Sequence, residues 1–461
     1  MSKTENISPD TPAWEPGRID VISMGCSKNL VDSERLLRRL QAKGYHTSHD
    51  TEVPAGEWVM VNTCGFIGDA KEESINLILE LLQAKEEGRI GHVAVMGCLS
   101  ERYLAELKEE IGEVDRWYGK FDWNAFIEQL PDRTCTPESP KIWERNLTTP
   151  QWSAYLKISE GCNRFCAFCA IPIITGRHTS RPIDEILEET ARLAQSGVRE
   201  FNVIAQDLSS YGKDLDGKSH LAELIDRMAD IPGVSWIRLH YAYPADFPMD
   251  ILDVMARREN VCNYLDIALQ HISDPVLKNM RRHIDKEGTL RLLDEIRRRV
   301  PGIRIRTTLM VGFPGEGEEE FGELLDFVRS QRFDRMGAFA YCEEEGTWGA
   351  QHLEDSVPDE IKQRRIDTLM ELQEEIALDL NTSLIGQRVK VLIEENDPAD
   401  PDTPARGRTQ WDSPEVDPEI YVSNCRALPG EFIDVEITGA APFDLEGVAL
   451  QSNPSDAQEN P

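Results

Sequence analysis

The 461-residue chain lacks any apolar run close to the ~18–20 residues that a membrane-spanning helix needs. Residues 1–18 are polar, and they lack the basic segment followed by an apolar segment that marks a secretory signal. We therefore expect no membrane anchor and a cytoplasmic location. Hydrophobic residues still make up 40% of the chain, which is enough for real cores and excludes a wholly disordered protein.

Basic residues are scarce relative to acidic ones. The chain has 50 Lys and Arg against 83 Asp and Glu, for a net charge of −33. Such a chain repels nucleic-acid phosphates unless a basic patch is concentrated somewhere, and it attracts a basic protein or peptide. The alternative is that the acidic surface suits a high-salt cytoplasm, and composition alone does not separate the two.

Cysteine is also too rare for a disulfide scaffold, at ten residues in a chain of this length. In a cytosolic protein, closely spaced cysteines are more often metal ligands or redox groups. Four of the ten show no such pattern, and we interpret them as ordinary cysteines: Cys135, Cys262, Cys342 and Cys425.

The first part of the chain predicts a parallel α/β domain. After a tail over residues 1–17, the N-terminal domain spans 18–130 and carries three buried strands at 18–23, 58–61 and 92–96. A helical pattern follows each strand, at 30–42, 69–87 and 101–110. Strands that alternate with helices indicate an open parallel sheet with helices on its faces. A polar linker over 131–147 closes this part.

The alternation restarts in the central domain, residues 148–380. Six candidate strands, separated by helical segments, predict an α/β barrel: 154–159, 200–205, 235–240, 264–269, 303–310 and 336–341. From residue 381 to 451 short strands separated by Pro, Gly and Asp predict a small all-β module. Residues 452–461 are expected to be a disordered tail.

Three cysteines lie just beyond the first barrel strand in the spacing CxxxCxxC: Cys162, Cys166 and Cys169. Three thiolates can hold three irons of a 4Fe–4S cluster and leave the fourth iron free to bind another molecule. A structural zinc site is the alternative, but it requires a fourth Cys or His, for which His178 is the candidate.

Three more cysteines each follow one of the N-terminal strands: Cys26, Cys64 and Cys98. The carboxyl ends of neighbouring parallel strands meet at one edge, which is where open α/β sheets bind ligands. We therefore expect these cysteines to meet at one place, the alternative being three unrelated buried core residues. Glycines beside them would let the backbone approach a bulky cluster: Gly25, Gly65 and Gly97.

Polar residues and glycines follow the later barrel strands, at the end where α/β barrels place their active sites. Gln206, His240 and Gln270 are candidates for cofactor or substrate contacts. The alternative for the two glutamines is a loop residue that faces water without a role, and the alternative for His240 is a structural histidine. The sequence VGFPGE (311–316) has Gly312 and Gly315 where a backbone could approach a cofactor, and a plain turn is the alternative.

The CxxxCxxC motif, with the aromatic Phe168 before its last cysteine, resembles the radical S-adenosylmethionine (SAM) superfamily. The resemblance implies a 4Fe–4S cluster on Cys162, Cys166 and Cys169 and a partial (βα)6 barrel. It also implies that SAM binds the open iron and is cleaved to a 5′-deoxyadenosyl radical that abstracts hydrogen. Phe168, Gln206, Gly312 and Gly315 become candidate cofactor contacts.

The three-part chain resembles one subgroup, the methylthiotransferases, over about residues 18–450. The resemblance implies a second 4Fe–4S cluster on Cys26, Cys64 and Cys98, a C-terminal TRAM domain, and two SAM molecules consumed per turnover. Both clusters must then serve one substrate carbon, so we expect the N-terminal domain to pack over the barrel mouth. A non-catalytic iron–sulfur scaffold is an alternative from another class.

Four segments resemble the RimO-type branch, which methylthiolates the β-carbon of an aspartate in small-subunit ribosomal protein S-twelve: GCSKNLVDSE, IRLHYAYP, YLDIALQHISDPVLKNMRR and WDSPEVDPEIYV. The alternative is the branch that modifies tRNA adenosine. Residues 381–450 contain 5 basic and 14 acidic residues, whereas a module that grips tRNA should be basic. His240 and Gln270 are the candidate substrate contacts.

The branch further implies a reductant such as flavodoxin or ferredoxin, a sulfur donor and a monomeric enzyme without a membrane partner. One departure concerns the segment after the cluster loop, where the subgroup usually has Arg-Gly and this chain has Thr175 before Gly176. Arg177 or Arg181 would then supply the basic side chain.

Overall fold

The computed structural model describes residues 14–136, 138–400 and 403–450. Its first part is a five-stranded parallel sheet in the order β2-β1-β3-β4-β5, with helices on its faces. The elements are β1 Glu15–Ser23, α1 Ser27–Ala42, β2 His46–His49, β3 Gly56–Thr63, α2 Gly68–Glu86, β4 His92–Gly97, α3 Cys98–Glu110, β5 Arg116–Trp117 and α4 Trp123–Gln129.

The central strands of this sheet are apolar on both faces because helices cover both sides. Val59, Met60 and Val61 of β3 are all fully buried. The sequence predicted three of the five strands. It missed β2, whose residues are polar and only partly buried at the sheet edge, and β5, which has two residues.

The first strand begins at Glu15, before the expected boundary at residue 18, and the expected linker after this domain is partly buried. Residues 1–13 of the expected tail, like the expected tail over 452–461, lie outside the described residues, but Glu15 and Gly17 belong to β1. The Glu15 amide donates to the Ala55 carbonyl at 2.8 Å. The expected linker has no helix or strand among its described residues, yet Trp143 and Arg145 within it are buried.

The second part is a six-stranded parallel sheet in the order β6-β9-β10-β11-β12-β13, which forms a partial barrel. Its elements are β6 Ser153–Lys157, β7 Ser159–Glu160, α5 Ile171–Thr175, β8 Thr179–Ser180, α6 Ile183–Gln195, β9 Glu200–Ile204, α7 Lys213–Asp216, α8 Leu221–Ala229, β10 Trp236–Ala242, α9 Ile251–Arg257, β11 Val261–Ile267, α10 Asp274–Asn279, α11 Lys286–Arg299, β12 Arg304–Val311, α12 Glu318–Gln331, β13 Arg335–Ala340, α13 Trp348–His352 and α14 Asp359–Thr382. A short 3-10 helix spans Leu208–Ser210.

The third part is a small closed barrel in the order β14-β15-β16-β18-β17. Its strands are β14 Arg388–Glu395, β15 Ala405–Thr409, β16 Ile420–Ser423, β17 Phe432–Ala440 and β18 Leu445–Ala449. The sequence indicated β14, β16 and β17. It missed β15 and β18, which are short and interrupted by Gly407 and Gly447.

The small barrel closes the amino ends of the central strands. Glu200 of β9 and Arg238 of β10 form a fully buried ion pair at 2.8 Å, and Arg408 of β15 reaches Glu200 at the same distance. Trp236 packs edge-on against Phe432, with ring centroids 4.7 Å apart. The opposite, carboxyl end of the central strands is therefore the end left for the site.

The N-terminal domain lies against that carboxyl end, as expected from the need for two sites to face one substrate. Glu344, in the loop after β13, accepts from Lys71 of α2 and from Arg102 of α3, each at 2.9 Å. Arg145 joins Glu34 of α1 to Glu189 of α6 through buried contacts. Among the described residues, every helix is too short or too polar to span a bilayer.

Candidate functional site

The first set of cysteines comes together at the carboxyl edge of the N-terminal sheet. Cys26 precedes α1, Cys64 directly follows β3 and Cys98 begins α3. Because β1, β3 and β4 are adjacent in the sheet, the three thiols share one edge. The Cys98 Sγ lies 3.5 Å from Oδ1 of Asn29, and Nδ2 of Asn29 donates to the Thr63 carbonyl at 3.0 Å, so this side chain fixes the loops relative to each other.

Glycines beside the cysteines allow these loops to pack closely. A Cβ on Gly25 would lie 2.8 Å from the Cys64 Sγ, and a Cβ on Gly65 would lie 2.6 Å from the Leu99 backbone. Gly25 has a φ of +83°, which a residue with a side chain rarely adopts. These glycines therefore let the cysteine loops pack against each other, and their close approach to a bound cluster remains a prediction.

The first set has an uneven electrostatic environment. Burial would raise the pKa of Cys26, but the Lys28 ammonium, the Asn29 amide and the Lys120 ammonium outweigh it and lower that pKa. Burial raises the pKa of Cys64, and it raises the pKa of Cys98 to about 11. Cys26 is thus the thiol of this set that most readily becomes a thiolate, the form that binds metal.

The second set lies on the loop between β7 and α5, at the barrel mouth. Cys162 and Cys166 are buried and Cys169 is half-buried. Burial raises the pKa of Cys162 to about 12, and it also raises the pKa of Cys169. Buried thiols that resist ionisation in water gain from metal coordination, which deprotonates them, so the donor set fits an iron–sulfur cluster.

Two side chains that sequence reasoning missed surround Cys166. The Arg282 guanidinium donates to the Cys166 Sγ at 3.3 Å, and the Tyr243 hydroxyl lies 3.7 Å from the same sulfur. Arg282 also lies over the Tyr243 ring, 4.1 Å from its centroid. Phe168 packs edge-on against Phe313, at 6.2 Å between ring centroids, which fixes the loop on its other side.

The zinc alternative finds no support in the position of His178. Its Nε2 is 3.2 Å from the Ser180 hydroxyl and 3.8 Å from Asp214, so the ring is engaged beside β8. In the described part of the chain, no three His, Cys, Asp or Glu side chains are arranged to hold a single metal ion.

The candidate glutamines lie at the mouth. Gln206 follows β9 and donates to Glu160, while its Oε1 is buried without a partner among the described residues. Gln270 follows β11 with a φ of +72°, held by backbone hydrogen bonds to Thr308 and Met310. The Gln270 side chain is half-buried, and its side-chain amide forms no hydrogen bond with the described residues.

His240 is placed differently from the other candidates. It is 4% exposed, and its Nε2 is 3.3 Å from Oδ1 of Asn202. Burial and the nearby Arg238 charge hold the pKa of His240 well below its usual value, so the ring is neutral. This environment fits the structural histidine that the sequence left open, and a substrate contact for His240 remains a prediction.

The two glycines of the VGFPGE segment serve internal packing. Both have positive φ, and a Cβ on Gly312 would lie 2.3 Å from the Lys362 side chain, while one on Gly315 would lie 2.7 Å from Asn279. The Gly312 amide donates to the Glu316 carboxylate. The turn is therefore required by the fold itself, and its cofactor contact remains a prediction.

Of the two arginines that follow Thr175, one is already engaged. Arg181 donates to the Lys157 carbonyl at 2.6 Å and pairs with Glu185 and Glu189, each at 2.7 Å. Arg177 is exposed, so it is the basic side chain that is available beside the cluster loop.

A buried polar chain connects the two cysteine sets. Lys120 donates to Asp32 of α1 at 3.1 Å, and Lys157 of β6 donates to Asp32 from the barrel side. Lys157 also donates to Glu160 at 2.8 Å, two residues before Cys162. The side chains of Asp32 and the two lysines are at most 10% exposed, so these buried ion pairs lock the two domains in one relative position.

Three family models match the three parts of the chain. Residues 18–119 match an uncharacterized protein family, UPF0004, residues 156–328 match the radical SAM superfamily and residues 385–450 match a TRAM domain. Among solved structures, the radical SAM methyltransferase TsrM from Kitasatospora setae, with cobalamin and a 4Fe–4S cluster bound, is similar. Its TM-score is 0.53 at 15% identity, covering 71% of this chain and 75% of that one, which shows a shared fold.

Curated relatives match over nearly the full length. A "Ribosomal protein uS12 methylthiotransferase RimO" from Bacteroides thetaiotaomicron is 58% identical over 93% of this chain and 97% of its own. Proteins with the same name from Phocaeicola vulgatus and Flavobacterium johnsoniae are 57% and 46% identical, over 93% and 95% of this chain and 98% and 99% of theirs. The resemblance inferred from the motifs is thereby confirmed, and the chain belongs to the RimO family of radical SAM methylthiotransferases.

Proposed function

We propose that this protein transfers a methylthio group to the β-carbon of an aspartate in small-subunit ribosomal protein S-twelve (uS12). The observation that carries the proposal is the meeting of two sets of three cysteines at one domain interface, within a chain that its RimO relatives match over nearly their whole length. The β-carbon of aspartate has no useful acidity for proton transfer, so ordinary acid–base catalysis does not reach it.

Cys26, Cys64 and Cys98 would hold one 4Fe–4S cluster, and Cys162, Cys166 and Cys169 the other. When bound, the clusters and SAM supply a reducing electron, a radical that removes the hydrogen, and the methylthio group. The second set has three thiols for four irons, which leaves one iron position for SAM and disfavours a fully ligated scaffold. The six cysteines would therefore supply the protein ligands of both clusters.

The protein's own residues would position the reactants and exclude water. Tyr243 and Arg282 cover Cys166, so the second cysteine set is shielded from solvent on the side of β10. The free amide of Gln270 and the buried Oε1 of Gln206 would orient polar groups of SAM or substrate at the mouth. Asp32, with its two lysines, would hold both cysteine sets at a fixed separation.

The surface charge favours a basic protein substrate over tRNA. An open cleft of about 990 Å³ runs between α2 and the loop after β2 and reaches Gly25, beside Cys26. Its lining carries six carboxylates against one arginine: Asp50, Glu52, Asp69, Glu72, Glu73 and Glu80, with Arg89. A cleft of this sign attracts Lys- and Arg-rich segments and repels phosphates.

The remaining partners follow from the reaction. An external reductant such as flavodoxin or ferredoxin would supply electrons, and a separate donor would replace the transferred sulfur. Because ribosomes assemble in the cytoplasm, we place the enzyme there. We expect a monomer, since one chain contains both cysteine sets, and sedimentation of the reconstituted protein under anaerobic conditions tests this.

A competition experiment tests the substrate. The anaerobically reconstituted enzyme receives SAM, a reductant, the Asp-containing loop peptide of ribosomal protein S-twelve and an unmodified tRNA anticodon stem-loop in one mixture. Mass spectrometry should find the methylthio group on the peptide aspartate. Gain on adenosine would overturn the substrate, and 5′-deoxyadenosine without either product would overturn the transfer. A Cys166→Ala variant should form no 5′-deoxyadenosine.

A further inference from the structure

Lys28 occupies an unusual place between the two cysteine sets. It is the second residue of α1, two positions after Cys26, and its side chain crosses from the N-terminal domain to the barrel mouth. Its Nζ lies 3.5 Å from the centroid of the Tyr241 ring, which is close for a cation–π contact. Tyr241 belongs to β10, near its carboxyl end.

In the described part of the chain, the Lys28 ammonium has no carboxylate partner at salt-bridge distance. Among the described residues, no carboxylate oxygen lies within 4.0 Å of Lys28 Nζ, and no hydrogen bond to that atom is formed. The two neighbouring lysines, Lys120 and Lys157, are by contrast both paired with Asp32. In a chain with a net charge of −33, a half-buried cation left unpaired beside a reactive site is set up to bind an anion from outside.

The backbone at Tyr241 is strained in a way that maintains this contact. Its φ is +64°, which costs on the order of 1–3 kcal/mol for a residue other than glycine. The Tyr241 amide donates to the buried Asp266 carboxylate at 3.3 Å, which helps to hold that conformation. Such strain persists where the surrounding structure imposes it, most often at binding and catalytic sites.

The same short segment also reaches the second cysteine set. Tyr243, two residues after Tyr241, places its hydroxyl 3.7 Å from the Cys166 Sγ. Two residues span at most about 7 Å of chain. The segment Tyr241–Tyr243 therefore carries both the ring that contacts Lys28 and the hydroxyl that contacts Cys166 of the second cysteine set.

We propose that Lys28 binds the side-chain carboxylate of the substrate aspartate, with the Tyr241 ring holding the ammonium in place. This inference rests on the proposed function. The β-carbon of an aspartate is bonded directly to the carboxylate carbon, so an ion pair at Lys28 fixes the reacting carbon between the two cysteine sets. An ammonium that gains a carboxylate partner in a partly dry site also distinguishes aspartate from the isosteric asparagine.

Binding measurements with paired peptides test the proposal. The probes are the S-twelve loop peptide and the same peptide with asparagine in place of the target aspartate, each titrated against the anaerobically reconstituted enzyme. The native enzyme should bind the aspartate peptide at least about tenfold more tightly. Lys28→Gln should abolish this preference by weakening the aspartate peptide alone, and Lys28→Arg should retain most of it.

Tyr241→Leu is a second variant that does not adjoin a cysteine. It removes the ring beneath the ammonium, so it should reduce the preference for aspartate while the iron and sulfide content and the electron paramagnetic resonance spectra stay unchanged. Ser27→Ala, in the same turn as Lys28, is the matched control and should keep the full preference.

The outcomes separate the inference from the function on which it rests. If the native enzyme methylthiolates the aspartate peptide and Lys28→Gln, with its iron intact, keeps the same aspartate preference, then Lys28 does not bind the carboxylate. Equal weakening of both peptides by Lys28→Gln or Tyr241→Leu would indicate a structural role and would also overturn the inference. If the native enzyme modifies neither peptide, the proposed function itself fails.

Discussion

At the scale of single residues, the environment of Cys166 differs most from that of an ordinary buried thiol. A guanidinium contacts its sulfur, and Arg282 is itself 3% exposed, so water screens its charge poorly. A positive charge beside an iron–sulfur cluster stabilises the reduced form, because reduction adds negative charge. Arg282 is therefore expected to raise the reduction potential of the cluster that Cys166 would hold.

Replacement of Arg282 by methionine should lower that potential. We expect a decrease on the order of 60 mV, which corresponds to a tenfold change in a one-electron equilibrium, since both the charge and a hydrogen bond to sulfur are lost. Potentiometric titration followed by electron paramagnetic resonance measures it. Arg281→Met is the matched control, because Arg281 lies over the Trp348 ring and leaves the potential unchanged. An unchanged potential in Arg282→Met would refute the electrostatic role.

Sequence reasoning found the six cysteines but not the residues around them. The spacing CxxxCxxC and the repeated position after a strand are local signals that one sequence displays. Arg282 lies 116 positions from Cys166, and no local pattern connects them. His240 shows a second limit of sequence reasoning. Its position at a strand end gave no indication that Asn202 and Arg238 would surround its side chain.

At the scale of elements, buried ion pairs join the strands of the central barrel to those of the small C-terminal barrel. Burial alone would raise the pKa of Glu200, but Arg408 and Arg238 outweigh it and lower that pKa from 4.5 to about 2. Because the pKa of Glu200 is lower in the folded state than in the unfolded state, the stability that its ion pairs contribute is fully present above pH 4.5. It is lost as the pH falls through about 2.

Glu200→Gln should destabilise the protein by about 3–5 kcal/mol near neutral pH, because it leaves two arginines without their buried partner. Chemical denaturation under anaerobic conditions measures the loss. The difference between native protein and variant should shrink as the pH is lowered from 4.5 toward 2.

Glu395→Gln provides the comparison for this prediction. Glu395 pairs with Arg406, which lies two residues before Arg408 in β15, but both side chains of this pair are exposed. An exposed pair contributes at most about 1 kcal/mol. A loss for Glu200→Gln no larger than for Glu395→Gln would contradict the assignment of the buried network as the main link between the two barrels.

The predictability of elements follows the same distinction between buried and exposed. The six barrel strands were found because each carries apolar residues at strand spacing, with every residue buried in β9 and alternate residues buried in β12. The edge strand β2 and the short strand β15 depend on pairing with distant segments, and their own residues are too polar to indicate a strand. Position in the sheet, which only the fold specifies, decides such cases.

At the scale of the whole molecule, the N-terminal domain is attached to the barrel mouth by few charged contacts. Glu344 is 4% exposed and holds both Lys71 and Arg102. Without this carboxylate, two cations of the N-terminal domain lose their partner on the barrel. The relative position of the two cysteine sets is then held less rigidly.

Glu344→Gln should therefore uncouple the two halves of the reaction. We expect 5′-deoxyadenosine to form at near the native rate, while the methylthiolated product per 5′-deoxyadenosine falls several-fold, as measured by quantifying both products in one reaction. The exposed neighbour Glu343 offers a matched control, Glu343→Gln, with native coupling. Unchanged coupling in Glu344→Gln would show that Asp32 and its lysines suffice to hold the domains.

The net charge of −33 makes a second prediction for the whole molecule. Attraction to a basic substrate weakens as salt screens it, so kcat/KM for the S-twelve peptide should fall about tenfold or more between about 0.05 and 0.5 M KCl. Substrate-free formation of 5′-deoxyadenosine should not change. If instead stability and activity both rise with salt, the acidic surface is an adaptation to a saline cytoplasm.

The position of Arg408 has a consequence for how the chain is made. Arg408 lies 208 residues after Glu200, so translation exposes the carboxylate long before its main partner leaves the ribosome. Until then the amino end of the barrel holds water around Glu200 and leaves the apolar face of Trp236 uncovered. A segment synthesised long after the central strands is thus the one that excludes water from the interior, and a nascent chain released before it would be recognisable to proteases as unfinished.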